Sequence, residues 1–341
     1  MIPIRNFRGW LAAVIFLVAF LAIKLFGCKE HIPYQHDAGS IFTTDYHFTY
    51  QSKTDYRDTI EALLQRFDDS VSPFNPGSLI TAVNNNDTSV VADLWLQSLI
   101  VRSKEIWKES GGAFDPTVSP LINAWGFGYK QGRLPDDRAI DSVMQYVGMD
   151  KVVLLPDGKI KKASPGVTLN FSAIAKGYAA DVVAGFLRGK GVSNFLVEIG
   201  GEIVSQGVNP EGKEWHIGID KPEESNFGGD LQSILSVSDI AMATSGNYRN
   251  FKVVDGKKVG HTIDPRTGQP ARNNILSATV IAKDCMTADA YATAFMVLGL
   301  EDSKRLLESD PGLQALFIYS TDSAANQVYM TEGMKKLLKP F

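Results

Sequence analysis

Residues 275–299 read ILSATVIAKDCMTADAYATAFMVLG and combine two patterns of apolar side chains. The first eight residues are mostly β-branched, apolar or small, and they predict a strand. Residues 283–295 are small or apolar almost all the way round, which predicts a helix buried against that strand. Asp289 and Thr293 interrupt this helix at a spacing of four, so both side chains lie on one face. A buried helix that directs a carboxylate and a hydroxyl the same way requires an explanation.

The rest of the chain alternates helices and short strands without a repeating βαβ unit. The Asp157–Gly158 pair predicts a hairpin turn. The irregular alternation favours the α+β class over a doubly wound sheet. Without a linker long enough to divide the chain, we expect one domain over residues 41–341. Apolar spacing predicts helices over 56–72, 90–110, 136–148 and 174–192, and strands over 41–52, 194–207 and 214–220.

The first 28 residues differ in kind from the remainder. Two arginines precede an apolar run from Trp10 to Ile23, which has the length of a signal peptide and is shorter than a spanning helix. The sequence LFGC at 25–28 resembles a bacterial lipobox, in which the cysteine, here Cys28, is lipidated. An uncleaved anchor with Lys24 reaching the interface and a cleaved soluble form are the alternatives. We expect residues 29–40 to be a tether and the domain to lie at the periplasmic or extracytoplasmic face of a bacterial inner membrane.

Bulk composition excludes several classes of protein. The chain has 341 residues, a formal net charge of -4, and 44% hydrophobic residues. A chain of this composition is neither disordered nor basic enough to neutralise nucleic-acid phosphates. Cys28 and Cys285 are the two cysteines, and a lipidated Cys28 could not pair with the other, so we expect no disulfide framework. Cys285 is expected to be a buried small residue.

Short glycine segments next to polar side chains supply candidate phosphate contacts. Any one of them alone is typical of a turn, and none matches a dinucleotide fingerprint or a Walker loop. A phosphate site would therefore depend on their combination. In HTIDPRTGQP, His261 is a candidate for proton transfer and Arg266 for anchoring an anion, although an ordinary loop is the alternative. The glycine segments are AKG at 175–177, IGGE at 199–202, TSG at 244–246 and RTG at 266–268.

Asp289 and Thr293 together suggest a metal. A carboxylate and a hydroxyl are hard oxygen donors, and with a backbone carbonyl they form the partial shell that Mg²⁺ accepts. The alternative is structural, with Asp289 in a cap or ion pair and Thr293 bonded to a helix carbonyl.

Five ordered blocks resemble one family, the ApbE-type flavin transferases (FAD:protein FMN transferases). The blocks are NFSAIAKGYAAD, LVEIGGEI, ATSGNYRNF, GHTIDPRTGQPA and DCMTADAYATAFMVLG, with FDPTVSPLINAWGFG upstream. The resemblance implies a single α+β domain related to the tunnelling fold, with mixed or antiparallel sheets and flanking helices. It implies Mg²⁺-dependent cleavage of FAD, attachment of FMN by a phosphoester to Thr or Ser of an exported redox protein, as in a membrane redox complex subunit, and release of AMP. FAD hydrolysis to FMN and AMP, or a non-catalytic FAD-binding lipoprotein, are the alternatives.

The resemblance also assigns roles to residues. It implies metal ligands, a catalytic histidine and a cleft that binds FAD. Asn170 departs from the family pattern, because many members carry an acidic residue at that position. The segment IFTTDYHFTY lacks a glycine that members usually have, and Phe74, in SPFNP, is the candidate for the side chain that stacks on the flavin. The implied metal ligands are Asp289, Thr293 and the carbonyl of Ala173; the catalytic residues are His261 and Asp289; and the FAD-binding residues are Phe74, Asp115, Lys176, Glu202, Thr244, Ser245, Gly246 and Arg266.

Overall fold

An antiparallel sheet of eight strands forms the centre of the protein. The computed structural model describes residues 31–127, 135–222, 230–246, 251–254, 257–260, 262–321 and 325–339. For residues 251–254 and 257–260 it describes only the backbone. The strand order is β1-β2-β5-β6-β9-β12-β13-β14. These strands are β1 Tyr34–Ile41, β2 Thr44–Gln51, β5 Phe195–Ile199, β6 Glu202–Gln206, β9 Ala241–Gly246, β12 Ile275–Ala282, β13 Gln314–Tyr319 and β14 Gln327–Met330.

Three two-stranded ribbons and nine helices accompany this sheet in the described residues. The ribbons pair β3 Val152–Leu154 with β4 Ile160–Lys162, β7 Trp215–Asp220 with β8 Leu231–Val237, and β10 Phe251–Val254 with β11 Lys257–Gly260. The helices are α1 Arg57–Val71, α2 Leu79–Asn84, α3 Leu94–Glu109, α4 Ser119–Ala124, α5 Asp137–Met144, α6 Ala175–Gly189, α7 Cys285–Leu298, α8 Leu300–Ser309 and α9 Glu332–Lys335.

The largest core cluster lies between the sheet and helices α1, α3, α6 and α7. Phe67, Phe195 and Phe295 are fully buried there. A second cluster joins the β7–β8 ribbon to β9 and β13 through residues such as Trp215 and Leu316. The sheet therefore has apolar partners on both faces, which explains why β12 is buried along most of its length.

Helix α7 is the buried helix that the sequence predicts. Asp284 caps it, since its side chain accepts a hydrogen bond from Thr287 N, and Gly299 ends it at φ 78°. The α+β class, the antiparallel sheet with flanking helices and the hairpin at Asp157–Gly158 are confirmed. Cys285 is buried, as expected.

The N-terminal part corrects one prediction. Of residues 29–40, predicted to be a tether, residues 34–40 lie in β1, which pairs with β2 over its whole length. The single strand predicted over 41–52 is the end of β1, a two-residue turn at Phe42 and Thr43, and β2. The signal segment, residues 1–28, lies outside the described residues. Among the helices of the described ranges, none combines the length and the apolarity that a membrane crossing needs.

Candidate functional site

A cavity of about 290 Å³ lies where helices α6 and α7 approach strand β9. Nine of the residues that the sequence assigns to the site line this cavity, although they come from five separate parts of the chain. The nine are Asp115, Ala173, Lys176, Glu202, Thr244, Ser245, Gly246, Asp289 and Thr293.

Asp289 is buried in α7, with 3% of its surface exposed. Its Oδ2 accepts a hydrogen bond of 3.0 Å from the backbone N–H of Gly177, in the first turn of α6. This N–H has no partner within its own helix, so the carboxylate caps α6 from outside. Burial raises the pKa of Asp289, while Lys176 and the Gly177 N–H oppose that rise.

Gly177 allows this contact because α6 and α7 approach closely there. A Cβ atom at residue 177 would lie 2.2 Å from the carbonyl oxygen of Cys285 and 2.8 Å from Cβ of Asp289. Both distances are shorter than real Cβ contacts, so only glycine fits without a shift of one helix. The glycine of the AKG segment therefore serves packing between helices.

Oxygen atoms collect next to Asp289. Thr293 lies one helical turn further along α7, and its Oγ1 is 3.3 Å from Oγ of Ser245 at the end of β9. Ala173, just before α6, lines the same cavity. The described residues contain no group of three or more His, Cys, Asp or Glu placed to hold a metal ion. A cation here would therefore depend on one carboxylate with hydroxyl and carbonyl oxygens, a donor set that suits Mg²⁺ rather than zinc.

Lys176 and Glu202 form an ion pair in the cavity wall, with 2.5 Å between Nζ and Oε1. Glu202 is 1% exposed, and its Oε2 has no hydrogen-bond partner among the described residues. Burial raises the pKa of Glu202 above its usual range, even though Lys176 opposes that rise. Burial lowers the pKa of Lys176, but Glu202 and Asp289 outweigh that effect and raise it overall. Lys176 therefore keeps its positive charge at the cavity.

Asn170 is the residue at which the sequence departs from the acidic side chain that the family resemblance implies. Its side chain lines the cavity, and Oδ1 accepts hydrogen bonds from the N–H and the hydroxyl of Ser172 at 2.8 and 2.6 Å. The amide holds the loop before α6 without adding charge. Asp289 is consequently the carboxylate of this cavity that the sequence predicts to bind a metal.

Asp115 and Arg266 lie toward one end of the site. Asp115 is 6% exposed, accepts from the N–H and hydroxyl of Thr117 at 2.8 and 2.5 Å, and has its pKa raised to about 6 by burial. Arg266 does not line the main cavity: its guanidinium binds Asp264 through two hydrogen bonds of 2.9 and 2.8 Å. It lines a neighbouring cavity of about 520 Å³ that shares Asp115 and Pro265 with the main one. The anion contact predicted for Arg266 thus remains a prediction.

Phe74 lies in a different neighbouring pocket. It is 57% exposed and lines an apolar pocket of about 200 Å³ with Phe42 and Phe67. Ser172 and Lys176 line both this pocket and the main cavity, so the two adjoin. The sequence did not single out Phe42, although it lies in the segment IFTTDYHFTY, which lacks the glycine that the family resemblance implies.

The turn at Phe42 and Thr43 has an unusual backbone. Phe42 has φ 53° and Thr43 has φ 62°, the left-handed region that favours glycine. A β-branched residue in this region is strained, and strain of this kind concentrates at functional sites. His261, predicted to be catalytic, lies outside the described residues, whereas Thr262 and Ile263 after it line the main cavity.

Comparison with known proteins shows the family to which the chain belongs. The model of the ApbE family matches residues 42–317. The FAD:protein FMN transferase of Vibrio cholerae serotype O1 is 34% identical over 342 residues, covering 97% of this chain and 99% of its own. The protein of the same name from Escherichia coli K12 is 31% identical over 294 residues, covering 83% and 81%. The structure of the flavin transferase ApbE from Vibrio cholerae superposes with a TM-score of 0.81 at 32% identity, covering 90% of this chain and 100% of that one.

Proposed function

This chain belongs to the ApbE family and is a transferase, and from that premise we propose that it moves FMN from FAD to a protein. We propose that the acceptor is a Thr or Ser hydroxyl of an exported redox protein, that AMP is released, and that the reaction depends on Mg²⁺. The observation that carries the proposal is the convergence of Asp289, Thr293 and Ser245 with the Lys176–Glu202 pair in one cavity.

The residues present fit a magnesium ion. Asp289, Thr293 and the carbonyl of Ala173 would hold it, because they supply hard oxygens and the cavity contains a cationic Lys176 to balance further phosphate oxygens. When bound, the ion would polarise a phosphoryl oxygen of the FAD pyrophosphate and neutralise charge that develops there. Asp289 is held ready for this by Gly177, which fixes one carboxylate oxygen.

An apolar pocket beside the cavity suits the flavin end of FAD. The pocket of Phe42 and Phe74 offers aromatic faces on which an isoalloxazine ring would stack. The Lys176 ammonium stands between this pocket and the main cavity, where a pyrophosphate attached to that ring would pass. Lys176 would then stabilise negative charge on the phosphates while Glu202 keeps it in position.

The transfer step is a displacement at phosphorus. The acceptor oxygen forms a bond to the phosphorus of the FMN half, the bond from that phosphorus to the bridging oxygen breaks, and AMP departs with the electron pair. Catalysis of this kind depends mainly on positioning and charge neutralisation. We propose that His261 orients the acceptor hydroxyl and takes its proton.

We further propose that the protein is tethered to the inner membrane and acts at its periplasmic or extracytoplasmic face. Residues 1–28 carry this proposal, through their apolar run and the cysteine of LFGC. A lipidated N-terminus at Cys28 would hold the domain near exported membrane redox subunits. Mass spectrometry of the mature N-terminus tests it: an unmodified, uncleaved Met1 would contradict lipidation.

The activity is tested with purified protein, FAD, and an exported redox domain that carries a candidate threonine. We expect Mg²⁺-dependent AMP release that rises with the acceptor, together with a mass gain of one FMN on it. Asp289→Asn, which keeps an acceptor for Gly177 N–H, should lose at least a hundredfold in rate, and EDTA should abolish transfer by the wild type. AMP release without acceptor modification would indicate an FAD pyrophosphatase, and FAD binding without turnover would indicate a binding protein.

A further inference from the structure

Asp181 joins the two helices that build the site, although it lies outside the cavity. It is on α6, and its two carboxylate oxygens accept hydrogen bonds from the backbone N–H groups of Cys285 and Met286, at 2.9 and 2.8 Å. These are the first two residues of α7. Asp284 accepts the next N–H, that of Thr287, at 2.7 Å. The first turn of α7 is thus capped partly by its own segment and partly by a neighbouring helix.

The two helices cap each other. Asp289 of α7 accepts from Gly177 in the first turn of α6, and Asp181 of α6 accepts from the first turn of α7. Gly177 and Asp181 are four residues apart, as are Cys285 and Asp289, so the two contacts lie one turn apart along both helices. The helices therefore meet at two points that fix how far one can slide along the other.

We infer that Asp181 is a positioning residue, which sets the register of α7 on α6 and thereby places Asp289 and Thr293 in the cavity. It does not contact the cavity itself, since it lines a separate one of about 470 Å³. As far as the metal is concerned, this inference rests on the proposed function. A slide of α7 would displace Asp289 and Thr293 together, because both belong to one rigid helix.

The surroundings of Asp181 are costly for a carboxylate. Burial raises its pKa to about 7, the two backbone donors oppose that rise, Asp284 adds to it and Arg188 lowers it. An isosteric amide would avoid this cost but would present an N–H to one of the two backbone donors. A carboxylate is the side chain that accepts from both N–H groups at once.

The test compares Asp181→Ala with Asp284→Ala in the full chain. Each variant removes a carboxylate that caps the first turn of α7, but only the first removes a contact with α6. We expect hydrogen exchange at Gly177 N–H to become at least tenfold faster in Asp181→Ala, measured without metal or FAD. In Asp284→Ala it should change less than threefold. Calorimetric titration with Mg²⁺ should show at least tenfold weaker binding in Asp181→Ala and less than threefold in the control.

Equal exchange at Gly177 in both variants and the wild type would overturn the inference. Hydrogen exchange at Gly177 is measured without a ligand. A wild type that binds no Mg²⁺ would therefore contradict the proposed function, while the exchange rates would still test the role of Asp181 in the register of the two helices. Should Asp181→Ala fail to fold, Asp181→Asn retains one acceptor and the side-chain volume. Hydrogen exchange at Gly177 should then be faster in Asp181→Asn than in the wild type, and a wild-type rate would overturn the register role.

Discussion

Gly177→Ala places a methyl group where α6 and α7 have no room for it. The new Cβ would lie 2.2 Å from the Cys285 carbonyl oxygen and 2.8 Å from Cβ of Asp289. These two atoms belong to the packed helix α7, so neither can move away by a side-chain rotation. Relief requires α7 to move by roughly 1 Å, since ordinary contacts begin above 3.4 Å. Such overpacking costs about 1–3 kcal/mol, and the same movement shifts Asp289 away from its hydrogen bond with residue 177.

Gly185→Ala is the matched control in the same helix. No described atom lies within 4 Å of a Cβ at residue 185, so alanine there should stabilise the protein by about 0.4–1 kcal/mol through its higher helix propensity. Gly177→Ala should lose about 2 kcal/mol, which lowers Tm by roughly 3 °C for a domain of this size. Thermal unfolding and calorimetric Mg²⁺ titration measure the two effects. If Gly177→Ala were stabilised like Gly185→Ala and bound Mg²⁺ normally, the close approach of α6 and α7 would have no part in the site.

Three further substitutions test the electrostatics and the aromatic pocket. Lys176→Met leaves Glu202 buried without its partner, which raises the pKa of Glu202 further. The loss of unfolding free energy relative to the wild type should therefore grow from pH 6 to pH 9 and reach about 3 kcal/mol. Urea denaturation at both pH values checks this, and a loss independent of pH would contradict it. Because the folded-state pKa of Asp115 lies near 6, above the ordinary 3.8, its protonated form stabilises the protein below pH 3.8 and this contribution fades as the pH rises through 6. Asp115→Asn removes that dependence, so its unfolding free energy should gain about 2 kcal/mol on the wild type between pH 4 and pH 7 in denaturant titrations, and parallel pH profiles would refute the assignment. Phe74→Ala should weaken FAD binding about tenfold in fluorescence titrations, because loss of a stacked ring costs about 1–3 kcal/mol. Its Tm should be nearly unchanged because the side chain is 57% exposed. An unchanged affinity would mean that the flavin binds elsewhere.

The buried helix and its two polar residues could be predicted from sequence because helical spacing is a local property. Asp289 and Thr293 lie four residues apart, and this alone puts them on one face of α7. The hairpin at Asp157–Gly158 was predictable for the same reason, since a two-residue turn signal needs no distant partner. The family resemblance rests on motifs of this local kind.

The edge strand β1 was not predictable from its own residues. One side chain of this strand, Asp37, is buried, and the others are half-buried or exposed. Such a polar segment has the composition of a tether. Its structure comes from the register with β2, a backbone pairing that leaves no periodic apolar signal in the sequence.

The sequence by itself determined the fold class, the family and the residues that supply oxygen to the site. The tertiary structure decided which of them meet: Lys176 with Glu202, and Ser245 with Thr293, which are separated by 48 residues. It also decided the role of Asp181, whose partners lie 104 and 105 residues away. These contacts depend on the packing of α6 and α7 against the sheet, and packing between distant segments has no fixed spacing along the chain. Local patterns therefore identify the chemical groups, and long-range packing brings them together.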